Sequence, residues 1–134
     1  MNAALSEYRQ VGAHGGVQNA SPYRLVQMLL QGAADGVASA RGRMQRGDVA
    51  GKGEHCSRAI RILDELRDAL DMERGGEIAA NLDRLYEYMS RRIVEANLRD
   101  QPEKLDEVLQ LLGEIRAGWD GIRDQIDGAR SGAA

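Results

Sequence analysis

Two histidines, one cysteine, an Arg-Arg pair and many carboxylates are the side chains here that could do chemistry. His14 stands beside Gly15-Gly16 with no orienting partner, and His55 sits between Glu54 and Cys56. Neither forms a Glu-x-x-His pair, a His-Glu-x-x-His run or a paired-cysteine motif, so neither metal nor cofactor is expected. A phosphotransfer histidine must project from mid-helix among basic and small residues. His55 has Lys52, Arg58, Arg61, Gly51 and Gly53 nearby, which makes a histidine phosphotransfer four-helix domain the alternative reading. Against it, the segment starts weakly at its glycines, and Ala59 stands where such domains carry glycine four residues on. Cys56, alone, cannot close an intrachain disulfide and reads as a small buried hydrophobe. Arg91 can pair with Glu87 and Glu95 along one helix, an ordinary surface arrangement. Asp64, Glu65, Asp68 and Asp71 lie on polar helix faces, where no apolar pocket would raise a carboxyl pKa for acid catalysis. No catalytic constellation is left, and an enzyme is not expected.

The elements around these residues are helical. Threonine is absent and no alternating Val/Ile run suggests a strand. Ser21-Pro22 supplies a cap and a first-turn proline, and Leu25, Met28, Leu29, Gly32, Gly36, Ala40 and Met44 follow at helical spacing until Gly47. The middle of that helix is small: it either admits a neighbouring backbone or leaves a trough. Asp48 can cap a second helix, whose broad apolar face runs from Cys56 through Ile62, Leu63 and Leu66 to Leu70. After the Gly75-Gly76 break, a third helix from about Glu77 to Leu98 carries Ile78, Leu82, Leu85, Met89 and Ile93, widened by Tyr86 and Val94. Pro102 opens a fourth, with Leu105, Val108, Leu109, Leu112, Ile115, Trp119, Ile122 and Ile126 at spacings of three and four. Four helices of ~20–25 residues joined by short breaks predict an all-α, antiparallel up-down four-helix bundle, each helix up to ~37 Å long. The domain expectation is a mobile N-terminal tail over 1–20, the bundle over 21–128 and a disordered C-terminus over 129–134.

Composition narrows the function classes. The formal charge is −3, which does not suit a protein that neutralises nucleic-acid phosphates. No apolar run approaches the ~18–20 residues of a membrane span, and the N-terminus does not resemble a secretion signal, so a cytoplasmic protein is expected. Sixteen glycines in 134 residues, with no Phe and one Trp, predict a core of aliphatic residues and a bundle of modest stability, since a helical glycine costs ~0.5–1 kcal/mol relative to alanine. The third helix has more apolar residues than one buried stripe requires. That surplus fits a helix buried on two sides, a homodimer seam, or a groove that receives amphipathic segments of another protein.

An ordered set of short motifs adds to this reading. Tyr8, Ala20-Ser21-Pro22, Met28-Leu29 and Arg46-Gly47-Asp48 are followed by the run from Leu70 through Gly75-Gly76 to Leu82, then Leu85-Tyr86-Glu87-Tyr88-Met89, Glu95-Ala96-Asn97, Pro102, Leu105-Asp106-Glu107-Val108 and Trp119. Over about residues 8–126 the chain resembles the flagellin-specific export chaperones, the FliS family. Leu30, where the family often has tyrosine, and Gln101, before the proline, are local departures. The resemblance implies a cytosolic four-helix chaperone that binds the disordered C-terminal segment of flagellin. Bound flagellin is kept from polymerising early and is delivered to the flagellar type III export apparatus, with contact to the cytoplasmic part of its gate. On that reading the client surface is assigned to Leu82, Tyr86, Met89 and Ile93 on the third helix with Leu63, Leu66 and Leu70 opposite. Leu5 and Tyr8 of the tail are expected to shield or clamp it.

Overall fold

A computed structural model describes the backbone of residues 21–133 and the side chains of residues 21–122. Four helices account for it: α1 (Pro22–Gln45), α2 (Val49–Asp68), α3 (Met72–Arg99) and α4 (Pro102–Ala133). Three begin at the side-chain caps their sequences offer. Ser21 Oγ accepts from the Arg24 N–H at 3.1 Å, Asp48 Oδ1 from Gly51 at 2.9 Å, and Asp71 Oδ1 from Arg74 at 3.1 Å. Losing one such acceptor typically costs ~1 kcal/mol. The Gly51 N–H is also the main reason that the Asp48 carboxyl is held below its ordinary range. α1 stops at Gly47, whose φ of 72° is left-handed, while the Asp48 N–H reaches back to the Arg43 carbonyl at 2.9 Å. Glycine takes that conformation without the Cβ penalty that other residues meet.

The backbone breaks at Gly76 (φ 51°, ψ −127°), where the sequence places it, and regular helix resumes at Glu77; an additional helical turn from Met72 precedes the break. α4 continues to Ala133, past residue 128 where the sequence placed the end of the bundle.

α1 packs on α2 and α4, and α3 packs on the same two helices, which closes an up-down ring. Cross-links along two of the seams fix the antiparallel sense. Arg41 pairs with Asp106 and Gln27 donates to Asp120 (3.0 Å) between α1 and α4. Between α2 and α3, Arg67 pairs with Asp83 (2.8 Å), and Lys52 donates to the Asn97 carbonyl (2.9 Å) and Asp100 (2.7 Å). The Lys52 side chain is only 8% exposed. Its ammonium caps α3 at Asp100, the only non-glycine with positive φ among the described residues (53°).

The small middle of α1 resolves into close approach. A Cβ at Gly36 would lie 3.3 Å from the Cβ of Ala59 on α2. Gly32, Ala33, Ala34, Gly36 and Ala40 are all buried. Leu30, Val37, Ile62, Leu63, Leu66, Met89, Ile93, Leu105, Val108 and Leu112 fill the space between the four helices. Leu30, the departure from the family pattern, is therefore core.

Candidate functional site

The α3–α4 seam has two halves of opposite character. Toward the C-terminal end of α3 it is polar. Tyr88 donates its hydroxyl to Glu107 (2.8 Å), Arg92 Nε donates to the other Glu107 oxygen (2.6 Å), and Lys104 pairs with Glu95 (2.7 Å). The guanidinium carbons of Arg91 and Arg92 stand 5.9 and 5.8 Å from the Tyr88 ring centroid, within cation–π range. The Tyr88 hydroxyl and then Arg92 hold the Glu107 carboxyl below its usual range, and Lys104 does the same for Glu95. Glu107 in turn pushes the Tyr88 phenol up, so the cluster prefers one proton arrangement. Arg91 also pairs with Glu87 at 3.8 Å, as its spacing suggested, whereas Arg92 ties two helices together.

Toward the Gly76 end the same seam is apolar and unsealed. Leu82 and Leu85 of α3 and Leu111 and Ile115 of α4 are half-buried against the core. One turn further out, Ile78 is 74% exposed and Ile122 is 44% exposed. Counted along antiparallel helices from the Arg92–Glu107 and Glu95–Lys104 cross-links, Ile78 and Ile122 come level with each other. Helical spacing puts Ile115, Gly118 and Ile122 on the flank of α4 that carries Lys104 toward α3. A Cβ added at Gly118 would meet nothing within 4 Å. These leucines and isoleucines make an apolar strip along the seam, exposed at its outer end, which we read as a trough.

The residues assigned from sequence divide sharply. Leu63, Leu66, Tyr86, Met89 and Ile93 are at most 3% exposed and belong to the core cluster, so they offer no area that a partner can reach while the bundle is closed. Burial pushes the Tyr86 phenol up to about 12. Leu70 and Leu82 are half-buried at its margin, and Leu82 alone of the α3 assignments lines the trough. Leu5 and Tyr8 lie outside the described residues. Ile78 and Ile122 were visible in sequence as members of core stripes. Their exposure depends on how far along the bundle they lie, which periodicity does not encode.

The residues with chemical potential are placed without a shared centre. Cys56 is buried, and that burial raises its thiol pKa against the opposing pull of Lys52. His55 is half-buried, with its carbonyl facing Gly36 of α1, which is not the projecting mid-helix position that phosphotransfer needs. Among the described residues no group of three His, Cys, Asp or Glu side chains could hold a metal ion. No described helix is long and apolar enough to cross a membrane.

A ring of four antiparallel helices with a partly exposed apolar strip along one seam defines an all-α bundle. The model of the family described as "Flagellar protein FliS" matches residues 4–126, and the chain belongs to that family. It is 51% identical over 119 residues to the flagellar secretion chaperone FliSB of Pseudomonas aeruginosa, covering 89% of this chain and 94% of that one. It is 44% identical over 121 residues to the flagellar secretion chaperone FliS of Salmonella typhimurium, covering 90% of each. Over 122 residues it is 39% identical to the Vibrio cholerae counterpart, covering 91% and 90%.

Proposed function

We propose that this FliS-family protein binds the disordered C-terminal segment of flagellin in the cytosol. It would keep the segment from assembling early and present it to the flagellar type III export apparatus, including the cytoplasmic part of the export gate. The observation that carries this reading is the unsealed apolar trough between α3 and α4. Ile78, Leu82, Leu85, Leu111, Ile115 and Ile122 supply its accessible area, and the assigned core residues Tyr86, Met89 and Ile93 support its floor from beneath. A segment that folds as it binds must offset its ordering entropy with extensive burial, commonly ~1,000–3,000 Å². A single groove of this length supplies part of that, so the client is expected to extend beyond the trough onto neighbouring faces, with Leu5 and Tyr8 of the tail covering or clamping it.

The direct test is titration calorimetry of the full chain with a synthetic flagellin C-terminal segment, and with the same residues in scrambled order. Saturable binding of the native order with a negative heat-capacity change is the expected result. Equal heats from both peptides would overturn the proposal. Labelling of His55 by a small phosphodonor, with no peptide binding, would move the assignment to phosphotransfer.

A further inference from the structure

Trp119 could fill the trough, and it is held elsewhere. Its ring stacks on Tyr23 of α1, with centroids 5.0 Å apart and planes 11° from parallel. The Tyr23 hydroxyl donates to the Trp119 carbonyl at 2.8 Å, and the indole N–H donates to the Tyr23 carbonyl at 3.1 Å. The stack and the indole hydrogen bond turn the largest side chain of α4 toward α1, and the Tyr23 hydroxyl ties the α4 backbone there, at the level of the apolar part of the seam with α3. The positions it leaves uncovered are Gly118, with empty space over its Cα, and the exposed Ile122 and Ile78. An indole released from α1 would gain apolar contact by settling on those isoleucines, because burying apolar surface is favourable wherever it lies.

We infer that Tyr23 is a positioning residue for the trough, acting through Trp119: it keeps the indole off the surface that the client occupies. This rests on the reading of the trough as the client site. Tyr23 itself lies on α1, across α4 from the trough. Its effect on binding therefore passes through the orientation of one side chain, in the manner of supporting contacts that preorganise a site.

Full-length Tyr23→Ala, Trp119→Ala and the double variant are titrated with the flagellin C-terminal segment, with circular dichroism recorded on each. Tyr23→Ala is expected to bind about fivefold more weakly, the size of coupling that contacting residues show. In the Trp119→Ala background the same change is expected to have no effect, because no indole is left to swing across. A Tyr23→Ala protein that binds like wild type, or that loses as much affinity with Trp119 absent as with it present, overturns the inference. Should circular dichroism show Tyr23→Ala unfolded, Tyr23→Leu keeps the apolar bulk and takes its place in the same cycle. Failure of the wild-type chain to bind the peptide is a different outcome, since it removes the client reading itself.

Discussion

Replacing Ile78 with aspartate separates client binding from folding. Ile78 is 74% exposed, so roughly a quarter of its surface is already covered. Fully burying an isoleucine is worth ~1.5–3 kcal/mol, and the uncovered three quarters leave about 1–2 kcal/mol for a partner to gain. At ~1.4 kcal/mol per factor of ten, losing that contact weakens binding by about 5- to 30-fold. Folding should barely notice. Surface changes usually stay within ~0.5 kcal/mol, and a carboxylate in the turn where α3 resumes after Gly76 is favoured by the helix dipole. The control is Ile93→Ala, at a site with no exposure. It should cost ~2–5 kcal/mol of stability by leaving a cavity. Calorimetry with the flagellin C-terminal segment and urea unfolding, run on both variants, read the two effects apart. Ile78→Asp with wild-type affinity would refute the trough as the client surface, whatever its stability.

Further outcomes can be measured. Gly76→Ala should destabilise by ~1–3 kcal/mol through backbone strain alone, since its φ is positive and no atom crowds the site. Gly113→Ala, equally uncrowded but helical, should instead gain ~0.5–1 kcal/mol, and urea midpoints compare the pair. Burial raises the Tyr86 phenol from an ordinary 10 to about 12. The neutral form is the one the fold favours, so its contribution is complete below pH 10 and is lost as pH climbs through 12; this amounts to about 2–3 kcal/mol. Stability measured from pH 9 to 12 should therefore fall less steeply in a folded Tyr86→Phe protein. Deleting residues 1–16 should change flagellin affinity if Leu5 and Tyr8 shield or clamp the site, and an unchanged titration would remove the tail from the mechanism.

Helix limits were the most legible part of the sequence because caps are local chemistry. Ser21-Pro22, Asp48 and Pro102 mark starts that need no knowledge of the rest of the chain, and the stripe Leu105–Val108–Leu112 names core residues directly. The binding surface was less legible. Periodicity gives the angle of a residue around its helix and says nothing of its depth along the bundle. Ile78 shares an angle with Leu82 and Leu85, yet it stands out in solvent because it lies one turn beyond them. Met89 and Ile93, on nearly the same face, are sealed because all four helices run past them. The polar half of the α3–α4 seam was hidden for a related reason. Arg92 and Glu107 look like two more surface charges until the antiparallel register sets them together. Lys52 likewise gave no sign in sequence of being buried, since its partner Asp100 lies on a different helix terminus.

The contact between Gly36 and Ala59 restricts how this chain can vary. With only 3.3 Å between a would-be Cβ and its neighbour, a side chain at Gly36 needs the two helices that meet there to give by a few tenths of an ångström. Shrinkage on the other side relieves that shift, so Gly36→Ala is best tolerated together with Ala59→Gly. The two sites should drift through sequence space as a unit, while uncrowded glycines such as Gly53 and Gly113 stay free to change singly.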